Sequence, residues 1–160
     1  MRFFRVFIGV LVTLISWPGL AQELEFQVQL EQPRYKLGEP IICNMSLINR
    51  GQAPICVNQR FLVNWPGAFP HEVYFRITDR QGRLLPFLLL MRASDAEEMD
   101  FQQLLPGQLV KGKCDLNRSY PLGVGSYRVE AIYENHRQPS SVPSSWQGRL
   151  RSQPIELVVE

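Results

Sequence analysis

The chain predicts an all-β fold, an antiparallel β-sandwich of about seven to nine strands with at most one short helix. Three observations carry that expectation. Apolar and polar residues alternate in short runs, the period of a strand with one buried and one wet face. Glycine and proline turn signals recur roughly every 8–12 residues. After the first residues of the chain, no segment sustains the 3.6-residue period of an amphipathic helix.

Leu24, Phe26, Val28 and Leu30 alternate with Glu25, Gln27, Gln29 and Glu31, which predicts a first strand ended by Pro33. Leu37-Gly38-Glu39-Pro40 turns the chain into a second strand, Ile41 to Asn49, with Ile41, Cys43, Met45 and Leu47 on one face. Asn49-Arg50-Gly51-Gln52 reads as a turn and Ile55 to Val63 as a third strand. Trp65 to Pro70 must be a loop, because its two prolines leave no ladder donors. Val73 to Thr78 pairs with Leu84 to Leu90 across a hairpin-length connection containing Gly82. Pro86 makes the second of these an edge or bulged strand.

Ser94-Asp95-Ala96-Glu97 has capping-box spacing and predicts a turn or two of helix within Asp95 to Gln103. Leu105-Pro106-Gly107-Gln108 then turns into a strand at Leu109 to Leu116, and Gly123 and Gly125 precede another at Tyr127 to Tyr133. Gln138 to Ser145 is a Pro/Ser-rich loop, and Ile155 to Val159 is the closing strand. Phe26, Val28, Met45, Leu47, Phe75, Ile77, Val110, Tyr127, Val129 and Ile132 are the expected core.

The back half of the chain has a further pattern. Leu105-Pro106-Gly107 leads through Asp115-Leu116 and Tyr120-x-Leu122 to Gly125-x-Tyr127-x-Val129 and Tyr133. This stretch, about Leu104 to Tyr133, resembles the last three strands of bacterial exported immunoglobulin-like and fibronectin-type-III-like domains. A weaker echo lies in Tyr35-x-Leu37-Gly38-Glu39-Pro40. The resemblance implies an Ig-like sandwich in which Tyr120 or Tyr127 hydrogen-bonds back to the backbone at a strand corner. The Cys…Trp…Cys spacing of antibody-like domains is missing, and fold resemblance alone does not assign an activity.

Residues 1–21 read as an address. Arg2 and Arg5 form a positive start, Val6 to Ile15 is apolar apart from Gly9 and Thr13, and Trp17-Pro18-Gly19-Leu20-Ala21 supplies a breaker and small residues. That is the grammar of a secretory signal peptide, too short for a bilayer span. No Cys follows the apolar run, which argues against a lipoprotein anchor. The expectation is a signal peptide at 1–21 and one Ig-like domain at 22–160, exported to the periplasm or beyond the cell. All fifteen acidic residues but only fifteen of the seventeen basic ones follow Ala21, so the mature chain is neutral. It carries no global charge signature for nucleic acid or anionic membrane.

Three cysteines in an exported chain allow one bridge and one leftover thiol. Cys43 sits near the start of its strand and Cys114 near the end of the strand expected antiparallel beside it, so these two are the candidate disulfide. The bridge would close about seventy residues and contribute roughly 4 kcal/mol through lost loop entropy. The alternative, three reduced and buried thiols, stands beside it.

His71 and His136 are the only histidines, and neither Cys-x-x-Cys nor His-x-x-x-His occurs, so no metal or other cofactor is expected. A Cys56/His71 nucleophile pair has no supporting motif. Asp95, Glu97, Glu98 and Asp100 match no calcium-loop spacing and read as a solvated face. Two features suit recognition: the aromatic loop with Trp65, Phe69 and His71, and the apolar run with Phe87 and Leu89. Trp65 and Phe69 could equally fold back as a plug over the open end of the core.

The expected function is therefore a non-enzymatic exported module that binds another protein or an envelope component. An accessory or inhibitory domain of a secreted hydrolase, or a small hydrolase, is the alternative, and oligomeric state is left open. Exported material should begin at Gln22; intact-mass measurement finding Met1 retained would contradict the processing expectation.

Overall fold

Side-chain alternation builds the first sheet. β1 (Leu24–Leu30), β3 (Ile42–Asn49) and β7 (Leu109–Asp115) form an antiparallel sheet in the order β1-β3-β7. Leu24, Phe26, Cys43, Met45 and Leu47 point to its buried face. The second sheet has the order β2-β10-β8-β5, from β2 (Arg34–Tyr35), β10 (Ile155–Val159), β8 (Gly125–Asn135) and β5 (Val73–Asp79). β9 (Gly148–Arg151) also pairs with β8, and only β2 runs parallel to its neighbour. A short third pair joins β4 (Ile55–Asn58) to β6 (Phe101–Leu104). The computed structural model describes residues 23–67, 70–89, 92–136 and 139–160.

The protein is all-β. Among the described residues the helical elements are two single 3₁₀ turns, Glu98–Asp100 and Leu116–Arg118. Inward residues of all three sheets share one hydrophobic core. Tyr133 stands at its centre: its ring contacts Phe26, Phe61 and Trp146, and its hydroxyl donates to the Asn58 carbonyl oxygen at 2.8 Å.

Several expectations need correction. The strand begun at Ile55 ends at Asn58 rather than Val63, because the Asn58 side chain accepts from the Arg60 N–H and Phe61 takes a φ of 50°. Val63 makes only an isolated parallel bridge to Val73. Of the strand expected at Leu84 to Leu90, the described part, 84–89, is not a strand, and Leu90 lies outside the described residues: Leu84 bridges Thr78 and Leu85 donates to Ile77, after which Pro86 has no donor to offer. The Leu88 N–H instead reaches Ser119. The helix expected in Asp95 to Gln103 shrinks to one turn, capped by a bond from the Glu97 N–H to Asp100, three residues later than the Ser94 box predicted. The chain then enters β6.

Val28 and Val110 are only partly buried. Ile132 is buried, but on the face of β8 opposite Val129 and Ala131. The signal-like segment lies outside the described residues.

Phe61 shows how local strain serves packing. Left-handed backbone at a bulky residue costs about 1–3 kcal/mol, and here it lays the ring flat on Gly112 of β7. A Cβ at Gly112 would come within 2.7 Å of that ring. Gly112→Ala should therefore lower stability by about 1–3 kcal/mol in urea denaturation. A neutral result would mean that Phe61 does not hold this position.

Candidate functional site

Two places combine concavity with polar chemistry. The larger is a groove of about 760 Å³ that runs along β1, with Gln27 and Gln29 on one side and Leu150, Arg151, Gln153 and Ile155 on the other. Its outer rim continues over Asn44, Ser46 and Lys111 on neighbouring strands.

Hydrogen-bond parity shows what β1 presents there. Glu31 donates to Ile42 and Arg50 donates to Glu23, so the odd residues at this end of the chain bond to β3. Opposite residues in an antiparallel ladder alternate in this way. The N–H and C=O groups of Phe26 and Val28 consequently point away from β3, along the open edge. The Phe26 side chain lies in the core and that of Val28 packs against it, partly buried. β1 has no ladder partner other than β3 among the described residues.

The second place is a buried charge network where β5, β8 and the segment before β5 meet. Glu72 accepts from Arg60 at 2.6 and 3.2 Å, from the Leu62 N–H at 2.9 Å and from Asn58 at 3.3 Å. Glu134 receives Arg149 and the Tyr74 hydroxyl on one oxygen. Its other oxygen faces His71 Nε2 at 3.4 Å and His136 Nε2 at 3.1 Å. A bond from the Glu134 N–H to the Glu72 carbonyl oxygen ties the two halves together.

The cavity between them is about 30 Å³, the share of one water molecule. Among the described residues every buried side-chain polar atom has a partner, and no group of three His, Cys, Asp or Glu side chains is arranged to hold a metal. The network braces this end of the domain through bonds among its own members.

Burial alone would raise the Glu134 carboxyl, but the His136 bond, the Arg149 charge and the His71 contact outweigh it and hold its pKa below 4.5. Burial also pushes the Cys56 thiol up. That direction opposes the thiolate a nucleophile needs.

The residues singled out from the sequence scatter. His71 is 7% exposed and engaged by Glu134. Trp65 is 45% exposed, and Phe69 lies outside the described residues. Phe87 packs edge-on against Tyr120 at 5.4 Å, whereas Leu88 and Leu89 are exposed. Cys43 and Cys114 stand directly opposite each other on β3 and β7, and all three cysteines are free thiols. Asp100 lies 3.9 Å from Arg60, so one member of the acidic run belongs to the charge network.

Sequence reasoning missed the network because its members are spread from Asn58 to Arg149. It missed the groove because an open strand edge is a property of topology. The one available signal was Glu134, a charge directly after the apolar run Ala131-Ile132-Tyr133.

No family model matches the chain, and no curated protein matches it. Among the described residues no helix is long and apolar enough to cross a membrane.

The depressed Glu134 pKa has a signed consequence. Its stabilisation is complete above the unfolded glutamate value and is lost as pH falls through the lower, folded value. Urea midpoints followed downward from neutral pH should fall in that acid window. Glu134→Gln should cost roughly 1–3 kcal/mol near neutrality and flatten the acid fall relative to the unaltered protein. An unchanged acid slope would remove Glu134 as its source.

Proposed function

We propose that this protein is an exported, non-enzymatic, Ig-like β-sandwich module that binds an extended segment of another exported or envelope protein along the β1 edge. The observation that carries the reading is the line of Phe26 and Val28 backbone groups, without a ladder partner among the described residues, facing a groove large enough for a strand. Main-chain pairing of this kind supplies affinity, while side chains flanking the groove select the sequence.

Other features support the reading. Phe26 is anchored in the core and Val28 packs against it, so the edge is presented by a strand held on its inner face. Gln27, Gln29, Asn44 and Ser46 offer uncharged hydrogen-bonding groups along the groove, with Glu25, Lys111 and Arg151 as its charged members. The Ig-like assignment draws on Tyr127, whose hydroxyl donates to the Gly123 carbonyl oxygen at 3.0 Å, four residues upstream at the start of β8. Tyr120 makes a comparable lock, exchanging hydrogen bonds with both backbone groups of Phe75. Against catalysis stand the self-paired acids of the buried network and the raised Cys56 thiol.

Val28→Pro tests the groove. The substitution removes an edge-facing N–H and leaves the β3 ladder intact, so the fold should tolerate it. A photo-cross-linker at Gln27 should capture a partner polypeptide from the native envelope, and Val28→Pro should abolish capture with little change in Tm. Trp65→Ala/Phe69→Ala is the comparison. If capture survives Val28→Pro and is lost in the loop double variant, the aromatic loop is the contact surface and the groove assignment fails.

A further inference from the structure

Cys43 and Cys114 are direct partners across the β3–β7 ladder, in a chain whose remaining cysteine, Cys56, belongs to the β4–β6 pair. Both side chains face the same core: Cys43 is fully buried and Cys114 partly so. The neighbouring Cys43 thiol and burial together push the Cys114 thiol up, while Cys43 Sγ itself lies 3.9 Å from the Asn44 carbonyl oxygen.

The register adds a constraint that the sequence could not supply. Leu116 donates to Ile41, and Asn49 donates to Gln108, so the odd residues of β3 bond to β7. Cys43–Cys114 is therefore a hydrogen-bonded cross-strand pair. At such positions Cβ atoms lie at the wide end of the cross-strand range, about 5.5 Å apart, whereas a disulfide wants about 3.8 Å. Closing the bridge must draw the two strands together locally. A bond made under such strain is more readily reduced than a relaxed structural one.

We propose that Cys43 and Cys114 form a reversible cross-strand disulfide, closed by thiol–disulfide exchange with an exported disulfide oxidant. The inference rests on the export reading and is independent of the binding surface. In the exchange, the more accessible Cys114 loses its proton and its thiolate attacks a sulfur of the oxidant. A mixed disulfide forms and one oxidant thiolate leaves. Cys43 then loses its proton, attacks the Cys114 Sγ and displaces the second oxidant thiolate. Two electrons pass to the oxidant, its disulfide becomes two thiols, and the protein gains one S–S bond. Because Cys43 is fully buried and Cys114 partly so, an oxidant reaches them slowly in the folded chain and equilibrium is reached by refolding.

The experiment is refolding of the mature protein in graded mixtures of reduced and oxidised glutathione, followed by acid quenching, thiol counting and peptide mapping. At the oxidising end one thiol should remain titratable, a single peptide pair should join Cys43 to Cys114, and Tm should rise by about 5–10 °C. The bridge should be half reduced within the range of the mixtures. Cys56→Ser should keep this behaviour, and Cys114→Ser should lose the bridge while remaining folded. Three titratable thiols under oxidising conditions, or a linkage through Cys56, would overturn the pairing. A bridge that stays closed across every mixture would overturn its reversibility.

Discussion

The hydroxyl of Tyr133 is buried, and it is satisfied by one carbonyl oxygen, that of Asn58. Leaving such a group without a partner would cost about 1–3 kcal/mol, so the Tyr133 ring can sit at the centre of the core only while β4 keeps its place. The ring in turn touches Phe26 from β1, Phe61 from the strained segment after β4, and Trp146 from the approach to β9. Four separate parts of the chain are thus fixed by one side chain of β8. The same strand carries Glu134, immediately beyond Tyr133, on its opposite face. Packing on one side of β8 and charge pairing on the other are one residue apart, and a shift of register along this strand would exchange them.

Legibility in the sequence followed the physics of each element. β1, β3, β5, β7 and β10 announce themselves through alternation, since each lays one row of apolar side chains on the core. β8 was legible for the same reason, though its full length was not: Glu134 and Asn135 are polar residues buried by partners elsewhere in the chain. β2 and β9 are too short to show a period. β6 contains the mixed run Phe-Gln-Gln-Leu, with two exposed glutamines, and pairs with β4 through backbone groups that leave no trace in composition. The apolar run at Leu84 to Leu89 misled because hydrophobicity was read as strand propensity. Its leucines instead follow a proline across the surface beside Ser119, with Phe87 alone turned in against Tyr120.

The candidate site was legible only in part. His71 was singled out as a contact residue in an aromatic loop, yet its exposure is small and its ring is committed to Glu134. Neither residue points to the other at a separation of 63 positions. The groove is still less visible, since it depends on which backbone groups of β1 face outward, and that follows from strand order. The opposition of Cys43 and Cys114 came through because two strand positions and one assumed pairing suffice to fix it. Whether that pair occupies a hydrogen-bonded position needs the ladder itself.

The two outer edges of the three-stranded sheet are not alike. β1 itself carries Gln27 and Gln29 and no lysine, whereas β7 carries exposed Lys111, which reaches the groove's outer rim, and Lys113 on either side of Gly112. Lysines along an edge discourage a further strand from adding there, because each would have to lose water and meet its own kind on a second copy. Growth by strand addition is therefore permitted in one direction and opposed in the other. A sheet with a single receptive side would terminate after one addition, so the lysines of β7 set any strand addition at β1 against growing into a fibre.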